Sequence, residues 1–151
     1  MAMGMTSRRG YTLVEILIVV AILGILASMV LPLFTNASDM ARNTATKALL
    51  STLRTQFEVY KVQHREGYPQ LSALWVNLIE KTNADGNLDP SGRFGGYLTK
   101  PPVHPFTGSS TAVAPGTETI TDGWTYDETS GAIHAVGFDE STGLFTGTAV
   151  P

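Results

Sequence analysis

Glu15 is the one charged residue between Arg9 and Asp39, and it heads a run of apolar side chains. A carboxylate at a bilayer centre costs roughly 2.5–3.5 kcal/mol and less near the interface, so an acid in this position calls for a cation. Arg8 and Arg9 can supply one by snorkelling. The other residue types able to do chemistry are scattered. His64, His104 and His134 lie far apart, with no HExxH spacing. No nucleophile elbow surrounds any serine, and no glycine loop of the phosphate-binding kind is present. Cysteine is absent, which removes disulfides, thiolate nucleophiles and Cys-ligated zinc. Two oxygen-rich stretches remain. Asn83 to Asp89 has Leu88 where a calcium loop needs glycine and Phe94 where it needs glutamate, so it reads as a solvated turn. Asp139 and Glu140 are the second candidate for a cation.

The segments that carry these groups differ sharply in composition. Of the 24 residues from Tyr11 to Phe34, 19 are hydrophobic, whereas the 117 residues that follow are about 36% hydrophobic. The 19 residues from Ile16 to Phe34 carry no charge, enough helix to cross most of a bilayer core about 30 Å thick. Arg8 and Arg9, with no acid before them, hold the preceding end in the cytoplasm by the positive-inside rule. A secretory signal has a shorter apolar region, about 7–15 residues, ending at a small-residue cleavage site. This run instead continues into helix, as an anchor does. The net charge of −3 gives no electrostatic case for nucleic acid. All ten basic residues lie in positions 1–100, and residues 101–151 carry six acids and no base, leaving the last third uniformly acidic.

Beyond Phe34, Ala37, Ala41, Ala45, Ala48, Leu49, Leu53, Phe57, Tyr60 and His64 recur at helical spacing, with most charges on the other faces. One helix is therefore expected from the apolar run to about Glu66, stopped by Gly67-Tyr68-Pro69. Leu71, Leu74, Trp75, Leu78 and Ile79 predict a short second helix. Eleven of 15 Gly and six of eight Pro lie beyond residue 85, the composition of loops and short strands. Strands are expected at Gly123–Asp127, Ala132–Val136 and Leu144–Val150, the first two joined by a turn at Glu128–Gly131. Trp75 and Trp124 read as core aromatics.

The string Arg8-Arg9-Gly10-Tyr11-Thr12-Leu13-Val14-Glu15-Ile16-Leu17-Ile18-Val19-Val20 resembles the leader junction of type IV pilins and of the pseudopilins of type II secretion. The segment from Gly96 to Gly108 is similar to a loop of the major pseudopilins, with His104 in place of the usual Asp and Thr107 inserted before Gly108. The resemblance implies an α+β pilin-like fold: a long N-terminal helix, half membrane-embedded and half amphipathic, packed against a small antiparallel sheet. It divides the chain into a leader at 1–10, a transmembrane and assembly helix at 11–34, an amphipathic half at 35–66 and a head at 67–151. It implies cleavage between Gly10 and Tyr11 by a prepilin peptidase, N-methylation of Tyr11, and neutralisation of the new amine by Glu15, between subunits or within one. A melting region bracketed by Gly24 and Pro32 is implied as well. So are calcium in a C-terminal loop, for which Asp139 and Glu140 are the residues at hand, and partners in other pseudopilins, an inner-membrane assembly platform and the chain itself. The implied location is the bacterial inner membrane with a periplasmic head, and the implied role is noncatalytic. A type IV pilin of an adhesion, motility or DNA-uptake filament fits the same junction, and a single-pass anchored ligand-binding module fits the hydropathy alone.

Overall fold

The computed structural model describes residues 10–147, with backbone only for 31–36. Residues 1–9 of the expected leader, and 148–150 of the expected last strand, lie outside the described residues. Helix α1 spans Leu13–Gln63, and α2 spans Leu74–Ile79 after a 3-10 turn at Leu71–Ala73. Five short strands follow: β1 Ala112–Val113, β2 Trp124–Tyr126, β3 Ile133–Ala135, β4 Phe138–Asp139 and β5 Leu144–Phe145. The chain forms two units, residues 1–39 and 40–151.

In the first unit the helical stretch Leu13–Val30 has a mean hydropathy of 2.8 and none of it is buried within the chain. It is long and apolar enough to cross a membrane. The backbone of α1 is continuous through Gly24 and Pro32. One missing amide donor and one glycine weaken the hydrogen-bond ladder there without ending it.

The second unit has the core. Leu50, Leu53, Phe57 and Tyr60 recur at three to four residues on α1 and are buried, meeting Leu74 and Leu78 of α2 and Trp124, Tyr126, Ile133, Ala135 and Phe138 of the strands. The alternation of a strand places Trp124 and Tyr126 inward, and the antiparallel register pairs them with Ala135 and Ile133. Trp124 donates to the Pro102 carbonyl at 3.0 Å and Tyr126 to the Pro69 carbonyl at 2.8 Å, so each buried polar tip has an acceptor.

Two expectations need correcting. The sheet is mixed rather than antiparallel: β1 pairs parallel to β2, and only β2 and β3 are antiparallel. The ten residues 114–123 carry the chain back to begin β2 alongside β1, where a tight hairpin would have reversed it. β4 and β5 form a separate antiparallel ribbon. The helix also ends three residues before the expected Glu66. Arg65 and Glu66 take φ of 54° and 66°, so the left-handed turn that closes the helix falls on two non-glycine residues ahead of Gly67. Such a conformation costs about 1–2 kcal/mol at an L-residue; a glycine avoids that cost but gives back about 0.5–1 kcal/mol through its greater entropy in the unfolded chain. Glu66→Gly is therefore expected to raise the unfolding free energy by about 0.5–1 kcal/mol, read as a higher urea midpoint of the full chain in detergent. A lower midpoint would mean that this turn is unstrained.

Candidate functional site

The N-terminal junction is built by a local capping pattern. Thr12 precedes the first helical residue, and its hydroxyl accepts from the Glu15 amide at 3.2 Å. The Glu15 carboxylate accepts in return from the Thr12 amide at 3.4 Å. This is a capping box, satisfying two amides that the start of a helix leaves open, and it places an acid at the positive end of the helix dipole. The pattern Thr12-x-x-Glu15 was available in the sequence as its signal. Glu15 thus has a structural role besides the electrostatic one expected of it. Among the described residues no basic group pairs with it. Tyr11 is 79% exposed, and Gly24 has open space where a side chain would stand. The apolar faces of Ile16, Leu17, Val20, Leu23 and Leu26 are uncovered.

Asp139 and Glu140 are neighbours with separate partners. Asp139 Oδ1 accepts from the Ser141 amide and hydroxyl at 2.8 and 2.7 Å, and Oδ2 from the Thr142 hydroxyl at 3.0 Å. The Ser141 hydroxyl, its amide and Thr142 hold this carboxyl down to about 2. Glu140 Oε1 instead accepts from Arg54 of α1 at 2.6 Å and from His134 of β3 at 2.8 Å. Partial burial raises its pKa, but the hydrogen bonds from Arg54 and His134 outweigh that and lower it. Calcium requires six or more oxygens converging on one point. Here one carboxylate closes its own turn and the other ties β3 to α1. Among the described residues no group of three or more His, Asp or Glu side chains is placed to hold a metal. Asp139 and Glu140 are thus each engaged by partners of their own within the head.

The segment from Gly96 to Gly108 is fastened at both ends. Tyr97 donates its hydroxyl to Gln63 near the end of α1, and the Leu98 amide donates to the Leu78 carbonyl at 3.0 Å. At the other end His104, fully buried, accepts through Nδ1 from the amides of Phe106 and Thr107, both at 3.2 Å. That is the hydrogen bonding an Asp or Asn side chain performs in an Asx turn, so an imidazole does the work expected of the replaced carboxylate. Burial pushes His104 down to about 4. His64 is buried elsewhere, between the Tyr60 carbonyl and the Thr82 hydroxyl, each at 2.8 Å. The three histidines remain apart, each with its own partners.

The prokaryotic N-terminal methylation motif matches residues 5–31, which include the Gly10-Tyr11 junction, the capping box and the apolar helix. The chain is similar to the type II secretion system core protein G of Pseudomonas aeruginosa, with 36% identity over 110 residues, 72% of this chain and 75% of the relative. Against the core protein G of Klebsiella michiganensis the identity is 32% over 113 residues, 73% and 76% of the two chains. A type IV narrow pilus major component of Thermus thermophilus shares 30% identity over 69 residues, 46% of this chain and 59% of that one. No solved structure matches the chain. The similarity to the secretion proteins therefore continues well past the helix into the head, and the chain belongs to the type II secretion system core protein G family of pseudopilins.

Proposed function

We propose that this chain is a noncatalytic filament subunit, made as a precursor that a prepilin peptidase cuts between Gly10 and Tyr11. The new amine of Tyr11 is then methylated. The mature chain waits in the inner membrane with its head in the periplasm, and assembles with copies of itself and other pseudopilins on an inner-membrane platform. The observation that carries this reading is the 18-residue span Leu13–Val30, wholly unburied within the chain and directly after the junction. In a bilayer lipid covers it, and in a filament neighbouring helices do. That exchange replaces one apolar contact by another, so helix packing and specific polar contacts must direct it. Glu15 supplies such a contact by pairing with the Tyr11 amine of a neighbouring subunit. An α-amino group of ordinary pKa, about 7.7–8.0, is largely protonated at neutral pH. The capping box survives cleavage, since Thr12 and Glu15 both lie beyond the cut. Between Gly24 and Pro32 the helix is free to loosen once subunits pack.

Mass spectrometry of the mature protein tests the reading. The expected amino terminus is Tyr11 carrying one added methyl group. A chain that still begins at Met1 in a host with active prepilin peptidase would overturn it, and the anchored ligand-binding module would then be preferred.

A further inference from the structure

The turn from His104 to Ser109 ties two other elements to α1. The His104 amide donates to the Ser109 carbonyl at 2.8 Å, and the Gly108 amide to the His104 carbonyl at 2.9 Å. The turn presents Phe106, whose ring stacks on Phe145 of β5 with centroids 4.3 Å apart and planes within 4°. Arg42 of α1 lies over the other partner in this stack, its guanidinium carbon 5.7 Å from the Phe106 centroid. The Phe145 amide in turn donates to the Asn43 side-chain carbonyl of α1 at 3.0 Å. The β5 edge of the ribbon thus meets α1 partly through a stack whose inner ring sits on the His104 turn, and its β4 end is held separately by buried Phe138 and the Arg54–Glu140 pair.

The chemistry of the ring sets what this turn tolerates. Nδ1 can accept from the Phe106 and Thr107 amides only while it has a free lone pair, so the proton of the neutral ring is on Nε2. Nε2 is buried without a hydrogen-bond partner. Around the ring stand Trp124 of β2, Phe106 and Phe145, with centroids 5.4, 6.1 and 6.0 Å away. From α1 the Arg42 cation faces Phe106, and burial is what lowers the affinity of the ring for a proton. A proton added at Nδ1 therefore removes the acceptor of two amides and places a charge among aromatic rings.

We propose that His104 is an acid-sensitive latch, whose protonation at Nδ1 opens the 104–109 turn, frees Phe106 from Phe145 and loosens the β5 edge of the ribbon, while buried Phe138 and the Arg54–Glu140 pair keep its β4 end on α1. The sign follows from burial. The closed ring titrates near 4 and a solvated one near 6.5, so the closed turn binds fewer protons between these values, and its stability is full above pH 6.5 and falls as pH drops toward 4. Asp127 and Asp139, both held near 2, stay ionised throughout this window and do not contribute to the change.

The test is hydrogen exchange of the full chain in detergent micelles, read by NMR as protection factors at individual amides. Phe106, Thr107 and Phe145 are expected to lose protection together, by roughly fiftyfold between pH 7 and pH 4.5 from the linkage above. Amides of β2 and β3 are expected to hold. His104→Asn keeps a carbonyl acceptor for the turn but has no proton to gain, and is expected to keep its protection at pH 4.5. Unchanged protection of the three amides in the wild-type chain, or an equal loss in the variant, would overturn the latch. Should the variant fail to fold, nitrogen chemical shifts of the wild-type ring decide the same question. A bare Nδ1 at pH 7 that gains its proton only well below pH 6 supports the latch, and a ring protonated at Nδ1 at pH 7 refutes it.

Discussion

Glu15→Gln is expected to yield a protein that is inserted, processed and folded like the wild type but forms no filaments. The substitution separates the capping role that the geometry gives this residue from the charge pairing proposed for it. Glutamine keeps an amide oxygen for the Thr12 amide, so the capping box is retained, while the negative charge is lost. Two unit charges 4 Å apart at an effective dielectric of 20 attract by about 4 kcal/mol, and desolvation offsets part of that. If half survives, losing about 2 kcal/mol at each interface lowers each association step about thirtyfold, and a helical polymer repeats that loss at every subunit. The measurement is the amount of sheared or sedimented filament set against membrane-inserted, cleaved subunit. Glu15→Ala removes both charge and cap and is expected to match Glu15→Gln in assembly. Normal filaments from Glu15→Gln together with a defect in Glu15→Ala would assign the residue to capping and remove the charge pairing.

Phe57→Ala is expected to cost about 3–5 kcal/mol, a large share of the 5–15 kcal/mol that stabilises a domain of this size. Phe57 is 1% exposed and its ring lies 5.1 Å from that of Tyr126, so it joins the buried face of α1 to the central strand of the sheet. The effect should appear as a lowered urea midpoint of the full chain in detergent and as faster proteolysis of residues beyond 67. Cleavage at Gly10-Tyr11 should be unaffected, because the junction lies in the other unit. Wild-type stability of the variant would mean that α1 and the sheet hold together without this contact.

The N-terminal part of the chain was legible because its determinants are local or compositional. The absence of charge from Ile16 to Phe34 states what solvent that helix needs, whatever the rest of the chain does. The amphipathic spacing of Leu53, Phe57 and Tyr60 likewise named the face that the structure buries. The head was legible in part. Its two clearest strands sit within the expected segments, where aromatic and β-branched residues alternate around a turn closed by Gly131 at φ 72°. β1 was missed because two residues, Ala112 and Val113, show no periodicity, and what makes them a strand is the neighbouring edge of β2. The end of α1 was misplaced because glycine is the usual left-handed residue, whereas the chain turned at Arg65 and Glu66. The turn is closed there by the Glu66 amide donating to the Lys61 carbonyl and the Gly67 amide to the His64 carbonyl, both at 3.0 Å.

The candidate chemistry divides along the same line. Asp139-Glu140 in sequence is an adjacent acid pair and nothing more. Whether two carboxylates share a cation depends on what else reaches them, and only the fold brings Arg54, 86 positions away, onto Glu140 while Ser141 and Thr142 occupy Asp139. His104 is the same case in reverse. As a letter in the chain it is a departure from an expected aspartate, and Phe106 of its own turn together with Trp124 and Phe145 from distant segments make it a buried cap with a depressed pKa. An apolar helix behind a basic junction could be read from the residues alone, because hydropathy and charge act over neighbouring positions, whereas its Thr12–Glu15 cap came into view only with the hydrogen bonds. The tertiary structure alone decided the mixed sheet, the partners of each carboxylate and the protonation state of the buried imidazole, because burial and hydrogen bonding are set by groups that only folding brings together.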